Sequence, residues 1–167
     1  MFIGREEELN FLEDRYNSAD GQLVVLYGRR RVGKTELLRQ FCENKEHVFY
    51  TCTEIIDEKQ LEAFSQRVLE KNKQAAKYIT RFSDWEQALL SITELAKEKK
   101  IVVVIDEFPY MVKGNNAIPS ILQKLWDEVL KQSNVMLILC GSAMSFIEKE
   151  VLAEKNPLYG RATGILK

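Results

Sequence analysis

A chain of 167 residues, 46% hydrophobic and 29% charged, is long enough for one domain with a sizeable core and has the balance of a globular protein. A formal net charge of −1 excludes a global basic field of the kind that draws proteins to nucleic acid. The lone histidine, His47, excludes a multi-histidine zinc site, and Cys42, Cys52 and Cys140 lie far apart without a CxxC pair, so they read as small core residues in a reducing compartment.

The opening MFIGREEEL has no apolar core of signal-peptide length. No run reaches the roughly 18 apolar residues of a membrane helix, so the expectation is a soluble, cytoplasmic chain with no membrane partner. Residues 6–16 read as a helix, with Leu9, Leu12 and Tyr16 near helical spacing. QLVVLY at 22–27 reads as a buried strand, followed by a glycine loop and a helix over 34–43. HVFYTCT at 47–53 is a second strand, and Leu61, Phe64, Val68 and Leu69 form one face of the next helix. The SDWE at 83–86 reads as a capping box, with Ser83 as cap and Glu86 reaching back. The helix that it opens is expected to bury Trp85, Leu89, Ile92 and Leu95.

IVVVI at 101–105 is almost wholly β-branched, as suits a central parallel strand covered on both faces. Ile118, Ile121, Leu122, Leu125, Trp126 and Val129 mark another amphipathic helix, and VMLILC at 135–140 is a fourth buried strand. Strands alternating with helices predict an α/β fold with a mostly parallel sheet.

Tyr27-Gly28-Arg29-Arg30-Arg31-Val32-Gly33-Lys34-Thr35 contains the spacing GxxxxGK[ST] between the first strand and the helix after it. Glycines at both ends let successive N–H groups turn inward. The helix that starts here, through Glu36, adds its N-terminal donors and the positive end of its dipole. Lys34 can reach the β and γ phosphates and the Thr35 hydroxyl can bind Mg²⁺, so the ligand is a nucleoside triphosphate. Arg29, Arg30 and Arg31 either strengthen the attraction to phosphate or form a solvated charge run.

Asp106 and Glu107 follow the IVVVI strand directly, at the sheet edge where α/β folds place ligands. Asp106 suits the Walker B position, holding Mg²⁺ with Thr35. Glu107 suits a general base that activates the attacking water. Ser142, at the end of the VMLILC strand, either orients that water or caps the following short helix.

The ordered set FIGREEEL, VVLYGRRRVGKTELL, VVVIDEFPY, LILCGSAMSF and PLYGRATG resembles the archaeal-type ATPase family, P-loop ATPases close to the AAA+ and STAND classes. The likeness covers most of the chain and is thin between residues 52 and 81. It implies a three-layer αβα P-loop fold with five strands in the order 5-1-4-3-2, the strand at 47–53 at one edge and 164–167 as the last core strand. It places Phe2, Ile3, Gly4 and Arg5 near the adenine. It gives Arg161 the role of an arginine finger or sensor, the alternative being a structural salt bridge. Family members usually continue into a helical or winged-helix region, so residues 1–167 are expected to be a single ATPase domain ending before it. A DNA or protein partner would be met through that further region, and an oligomer is possible.

The leading functional expectation is Mg²⁺-dependent ATP hydrolysis. The second is a STAND-like switch that binds ATP or ADP and turns over slowly. A small-molecule kinase, which would need an arginine-rich lid and an acceptor site, fits less well because the Asp106–Glu107 pair suits hydrolysis better, and a GTPase is disfavoured because the sequence has no NKxD motif.

Overall fold

The computed structural model describes residues 5–28, 33–142, 147–149, 153–158 and 160–167. Five parallel strands form one sheet: β1 (Gln22–Tyr27), β2 (His47–Thr51), β3 (Ile101–Asp106), β4 (Val135–Gly141) and β5 (Gly164–Leu166). Their order is β2-β3-β4-β1-β5, which is the expected 5-1-4-3-2 read from the other edge, with β4 inserted between β1 and β3. The main helices among the described residues are α1 (Glu6–Tyr16), α2 (Lys34–Cys42), α3 (Asp57–Lys71), α4 (Trp85–Leu95), α5 (Phe108–Gly114) and α6 (Ile118–Glu128).

The two-residue alternation of the strands divides the core into two layers. Leu23, Val25, Val103, Ile105, Leu137 and Leu139 join the cluster built with Phe64, Trp85, Phe108 and Leu125 of α3, α4, α5 and α6. Val24, Leu26, Val102, Val104, Met136 and Ile138 face the other way, toward Leu12 of α1 and Leu37, Leu38 and Phe41 of α2. The three central strands are buried along their whole length, as a parallel sheet covered on both faces requires. Pairing registers Val25 with Leu139 and Ile105 with Leu139, so the C-terminal ends of β1, β3 and β4 lie side by side.

Several details differ from the sequence expectation. The cap of α4 is Asp84, whose carboxylate accepts the Gln87 N–H at 2.8 Å, so the helix starts one residue later than a box based on Ser83 would have it. Aspartate is as good an N-cap as serine, and the choice brings Trp85 into the first turn, where its indole N–H donates to Asp57 at 2.8 Å. Leu95 is only half-buried, and Ala88 takes a place on the buried face instead. Strand β2 ends at Thr51, because the Gln60 side chain takes over the backbone of Thr53. The short helix α5 has no sequence-level counterpart: it carries one turn of buried Phe108, Met111 and Val112 behind Pro109.

Strand β5 is anchored on β1 through Thr163, whose N–H donates to the Leu23 carbonyl at 2.7 Å and whose Oγ1 accepts the Leu23 N–H at 2.9 Å. All three cysteines are buried and unbridged. Burial pushes the Cys42 thiol up to about 12, which keeps it protonated and unreactive. Among the described residues no helix is long and apolar enough to cross a membrane.

Candidate functional site

The candidate site lies at the C-terminal edge of the sheet, where β1 hands over to α2. Gly33 opens α2 with φ 80° and ψ 22°, a left-handed conformation that glycine adopts without a Cβ penalty. The first intrahelical bond runs from the Leu37 N–H to the Gly33 carbonyl at 2.9 Å. The amides of the turn holding Lys34, Thr35 and Glu36 therefore aim out of the helix end, along the positive end of its dipole. Gly28 closes the strand side, its N–H donating to the Gly141 carbonyl of β4 at 3.3 Å. The Lys34 side chain is buried and folds back so that Nζ donates to the Gly28 carbonyl at 3.0 Å.

Asp106 is the last residue of β3 and is 2% exposed. By alternation it belongs to the face that packs on α2, and there its Oδ2 accepts the Thr35 hydroxyl at 2.8 Å. Its Oδ1 accepts the Glu107 N–H at 2.9 Å, and the buried Cys140 thiol lies close enough to feel its charge. A buried carboxylate needs such partners. The Cys140 thiol is held well above its ordinary range, first by burial and then by the Asp106 charge. A thiol shifted this way is a poor nucleophile, because the thiolate is the reactive form.

Glu107 caps α5 in the left-handed region, with φ 54° and ψ 41°. For a residue with a Cβ this costs about 1–3 kcal/mol. The turn breaks the strand alternation immediately after Asp106 and brings the Glu107 carboxylate to Ser142, whose hydroxyl donates to Oε1 at 3.4 Å. Gly141, just before Ser142, is tightly packed: a Cβ there would stand 2.9 Å from Pro109 Cδ. The strain predicts an asymmetry between two truncations. Glu107→Gly is expected to be more stable than Glu107→Ala by about 1 kcal/mol, the lower end of that strain range, which corresponds to about 2–4 °C in Tm for a domain of this size. Thermal unfolding of the two variants measures it, and equal midpoints would mean that the left-handed turn stores no strain.

The structure brings Lys34, Thr35, Asp106, Glu107 and Ser142 together with Gly28 and Gly33. Glu36 lies exposed in the first turn of α2. Arg5 is the N-cap of α1 and pairs with Glu8 at 3.5 Å. Phe2, Ile3, Gly4, Arg29, Arg30, Arg31 and Val32 lie outside the described residues, as does the start of the helix that Ser142 was expected to cap. Arg161 is not brought to this group. It precedes β5, whose residue Gly164 registers with Val24 near the start of β1, and so sits toward the opposite edge of the sheet. There it holds Asp127 through two contacts, Nε to Oδ1 at 3.1 Å and Nη2 to Oδ2 at 2.8 Å. That bridge keeps the Asp127 carboxyl below its usual range. It matches the salt-bridge alternative for Arg161.

Cys140 is the site neighbour that sequence reasoning left in the core. Its nearness to Asp106 depends on β4 lying beside β3, a pairing that no local pattern encodes.

The Thr35 hydroxyl and the Asp106 carboxylate form a pair of hard oxygen donors at a helix N-terminus, which fits Mg²⁺. That ion binds through one or two carboxylates together with phosphate and water oxygens. Among the described residues no group of three or more His, Cys, Asp or Glu side chains could form a self-contained metal site.

A family model described as an ATPase domain predominantly from Archaea matches residues 2–167. An uncharacterized protein of Methanocaldococcus jannaschii is 38% identical over all of this chain, which covers 35% of it. An uncharacterized ATP-binding protein of the same organism is 56% identical over 46 residues, 28% of this chain and 78% of that protein. Among solved structures, the Walker-type ATPase paby2304 of Pyrococcus abyssi superposes with a TM-score of 0.75 at 24% identity, over 99% of this chain and 53% of that one. The Orc1 protein of Aeropyrum pernix, solved in complex with DNA, superposes at 0.66 with 14% identity, over 99% of this chain and 45% of that one. These two likenesses establish the fold. The chain spans about a third of the first relative and about half of the first structure.

Proposed function

The chain belongs to the family of ATPase domains found predominantly in Archaea, and on that premise we propose that it binds ATP with Mg²⁺ and hydrolyses the β–γ bond. The observation that carries this reading is the Thr35–Asp106 link at 2.8 Å, with Lys34 on one side of it and Glu107 on the other. When bound, Mg²⁺ supplies positive charge at the phosphate oxygens. The amides of Gly33, Lys34, Thr35 and Glu36 and the Lys34 ammonium bind and orient the phosphates. Asp106 and Thr35 hold the metal. Glu107 takes the proton of the attacking water, and Ser142 positions the Glu107 carboxylate. The family likeness would assign Arg29, Arg30, Arg31 and Val32 to the phosphates and Phe2, Ile3, Gly4 and Arg5 to the adenine. Three unbridged thiols fit a reducing, cytoplasmic setting.

A second reading is a nucleotide-dependent switch with slow intrinsic turnover. It is favoured by the position of Arg161, held by Asp127 away from Lys34 and Asp106, so that Arg161 lends no charge to the transferring phosphoryl group within this chain. The chain covers 35% of its Methanocaldococcus jannaschii relative, so in either reading a DNA or protein partner could also engage regions outside these residues.

Phosphate release from ATP separates the readings. Release with Mg²⁺ that stops in EDTA is expected for the hydrolase. Tight Mg²⁺-dependent nucleotide binding with no release would favour the switch. No binding of ATP or ADP would overturn both.

A further inference from the structure

Strand β2 is the edge of the sheet, and its outer backbone is open. The Val102 N–H donates to the Glu46 carbonyl at 3.0 Å and the Cys52 N–H to the Asp106 carbonyl at 2.8 Å. With the register of Val48 on Val103 and Tyr50 on Ile105, these bonds turn the backbone of the even-numbered residues toward β3. The N–H and C=O groups of His47, Phe49 and Thr51 therefore point away from the sheet, and among the described residues nothing bonds them.

The next outward-facing step, Thr53, is closed by a side chain. The buried Gln60 amide accepts the Thr53 N–H at 3.3 Å and donates to the Thr53 carbonyl at 2.9 Å, filling the place of one residue of a neighbouring strand. The ladder is thus finished at one end and open over the three residues before it.

The open edge is the floor of a groove of about 640 Å³ between α2 and α3. Its walls are basic. The Arg39 guanidinium lies over the Phe49 ring, 4.3 Å from its centre, and Arg67 and Lys71 are exposed on the other wall. The one acidic wall residue, Glu70, is drawn to Arg67 at 3.6 Å.

We propose that the outer edge of β2, between Arg39 on α2 and Arg67 and Lys71 on α3, accepts an extended acidic peptide segment as a sixth strand. Alternating N–H and C=O groups are matched by another peptide backbone, which gives the main-chain affinity of strand addition. The basic walls select acidic side chains along that strand. A nucleic acid strand would use the cations and leave the three outward N–H and C=O pairs without a strand partner. A second copy pairing edge to edge would bring two sets of these arginines and lysines together, which is unfavourable.

The test uses a fluorescein-labelled peptide of five Glu-Val repeats, measured by fluorescence anisotropy on the full 167-residue chain. Expected results are saturable binding to the parent and binding at least tenfold weaker for a five-repeat Lys-Val peptide and for the fully N-methylated Glu-Val peptide. Thr51→Pro removes one outward N–H while leaving the bonds to β3 in place, and it should weaken binding at least tenfold, as should Arg67→Glu with Lys71→Glu. Hydrogen exchange should slow at the amides of His47, Phe49 and Thr51 when the peptide is bound. Equal affinity for the acidic and basic peptides, undiminished binding of the N-methylated peptide, or no binding by the parent would overturn the proposal. Displacement of the peptide by a twelve-residue oligothymidylate that binds more tightly would overturn it in favour of a nucleic acid.

Discussion

Glu107→Gln is expected to bind ATP as the parent does and to release phosphate about 10²–10⁴-fold more slowly, the range associated with a positioned general base. The substitution is nearly isosteric. The Glu107 N–H bond to Asp106 at 2.9 Å is a backbone contact and survives it. The left-handed turn at φ 54° is also unchanged, so the amide points where the carboxylate pointed. What is lost is the capacity to accept a proton. Affinity for a non-hydrolysable ATP analogue, measured by calorimetry, should stay within about twofold, because uniform binding is untouched when only the transition state loses a contact. Single-turnover phosphate release then isolates the chemical step. A variant that hydrolyses ATP at the parental rate would remove Glu107 from the reaction. One that loses binding and turnover together would make it a structural residue of the site.

Lys34→Ala should act on the other half of the site. The Lys34 ammonium is buried and folded against the Gly28 carbonyl at 3.0 Å, so it is pre-positioned at the loop that would cradle phosphate. Charge-assisted hydrogen bonds contribute about 1.5–3 kcal/mol, which corresponds to a loss of about 10–150-fold in affinity. Calorimetric titration with an ATP analogue and Mg²⁺, parent against variant, measures this. Lys34→Met retains most of the aliphatic stem without the charge, and it should lose as much affinity as alanine while keeping the parental circular dichroism. Parental affinity in the methionine variant would show that packing of the stem, and not the ammonium, is what the site needs.

Much of this protein is written locally. Apolar β-branched runs such as IVVVI can be satisfied only by a strand buried on both faces, so the sequence by itself determined a parallel α/β sheet. The spacing from Gly28 to Thr35 determined a strand, a turn and a helix N-terminus, because each residue in it answers a backbone requirement of that turn. Asp106 and Glu107 were legible because carboxylates that end a buried strand stand at its C-terminal edge. The family likeness supplied the strand order, which no periodicity contains.

Only the tertiary structure decided how these pieces meet. The nearness of Cys140 to Asp106 and the Ser142–Glu107 hydrogen bond at 3.4 Å exist because β4 lies between β1 and β3, and pairing between distant segments has no signature within either segment. The cap of α4 moved from Ser83 to Asp84 because Trp85 has its partly buried partner, Asp57, on a separate helix. Arg161 was chemically ambiguous on its own, since a guanidinium serves a phosphate and a carboxylate equally well. The chain's path into β5 put it beside Asp127. The open edge of β2 was invisible for the same reason: that a strand lies at an edge is a property of the sheet and not of the strand.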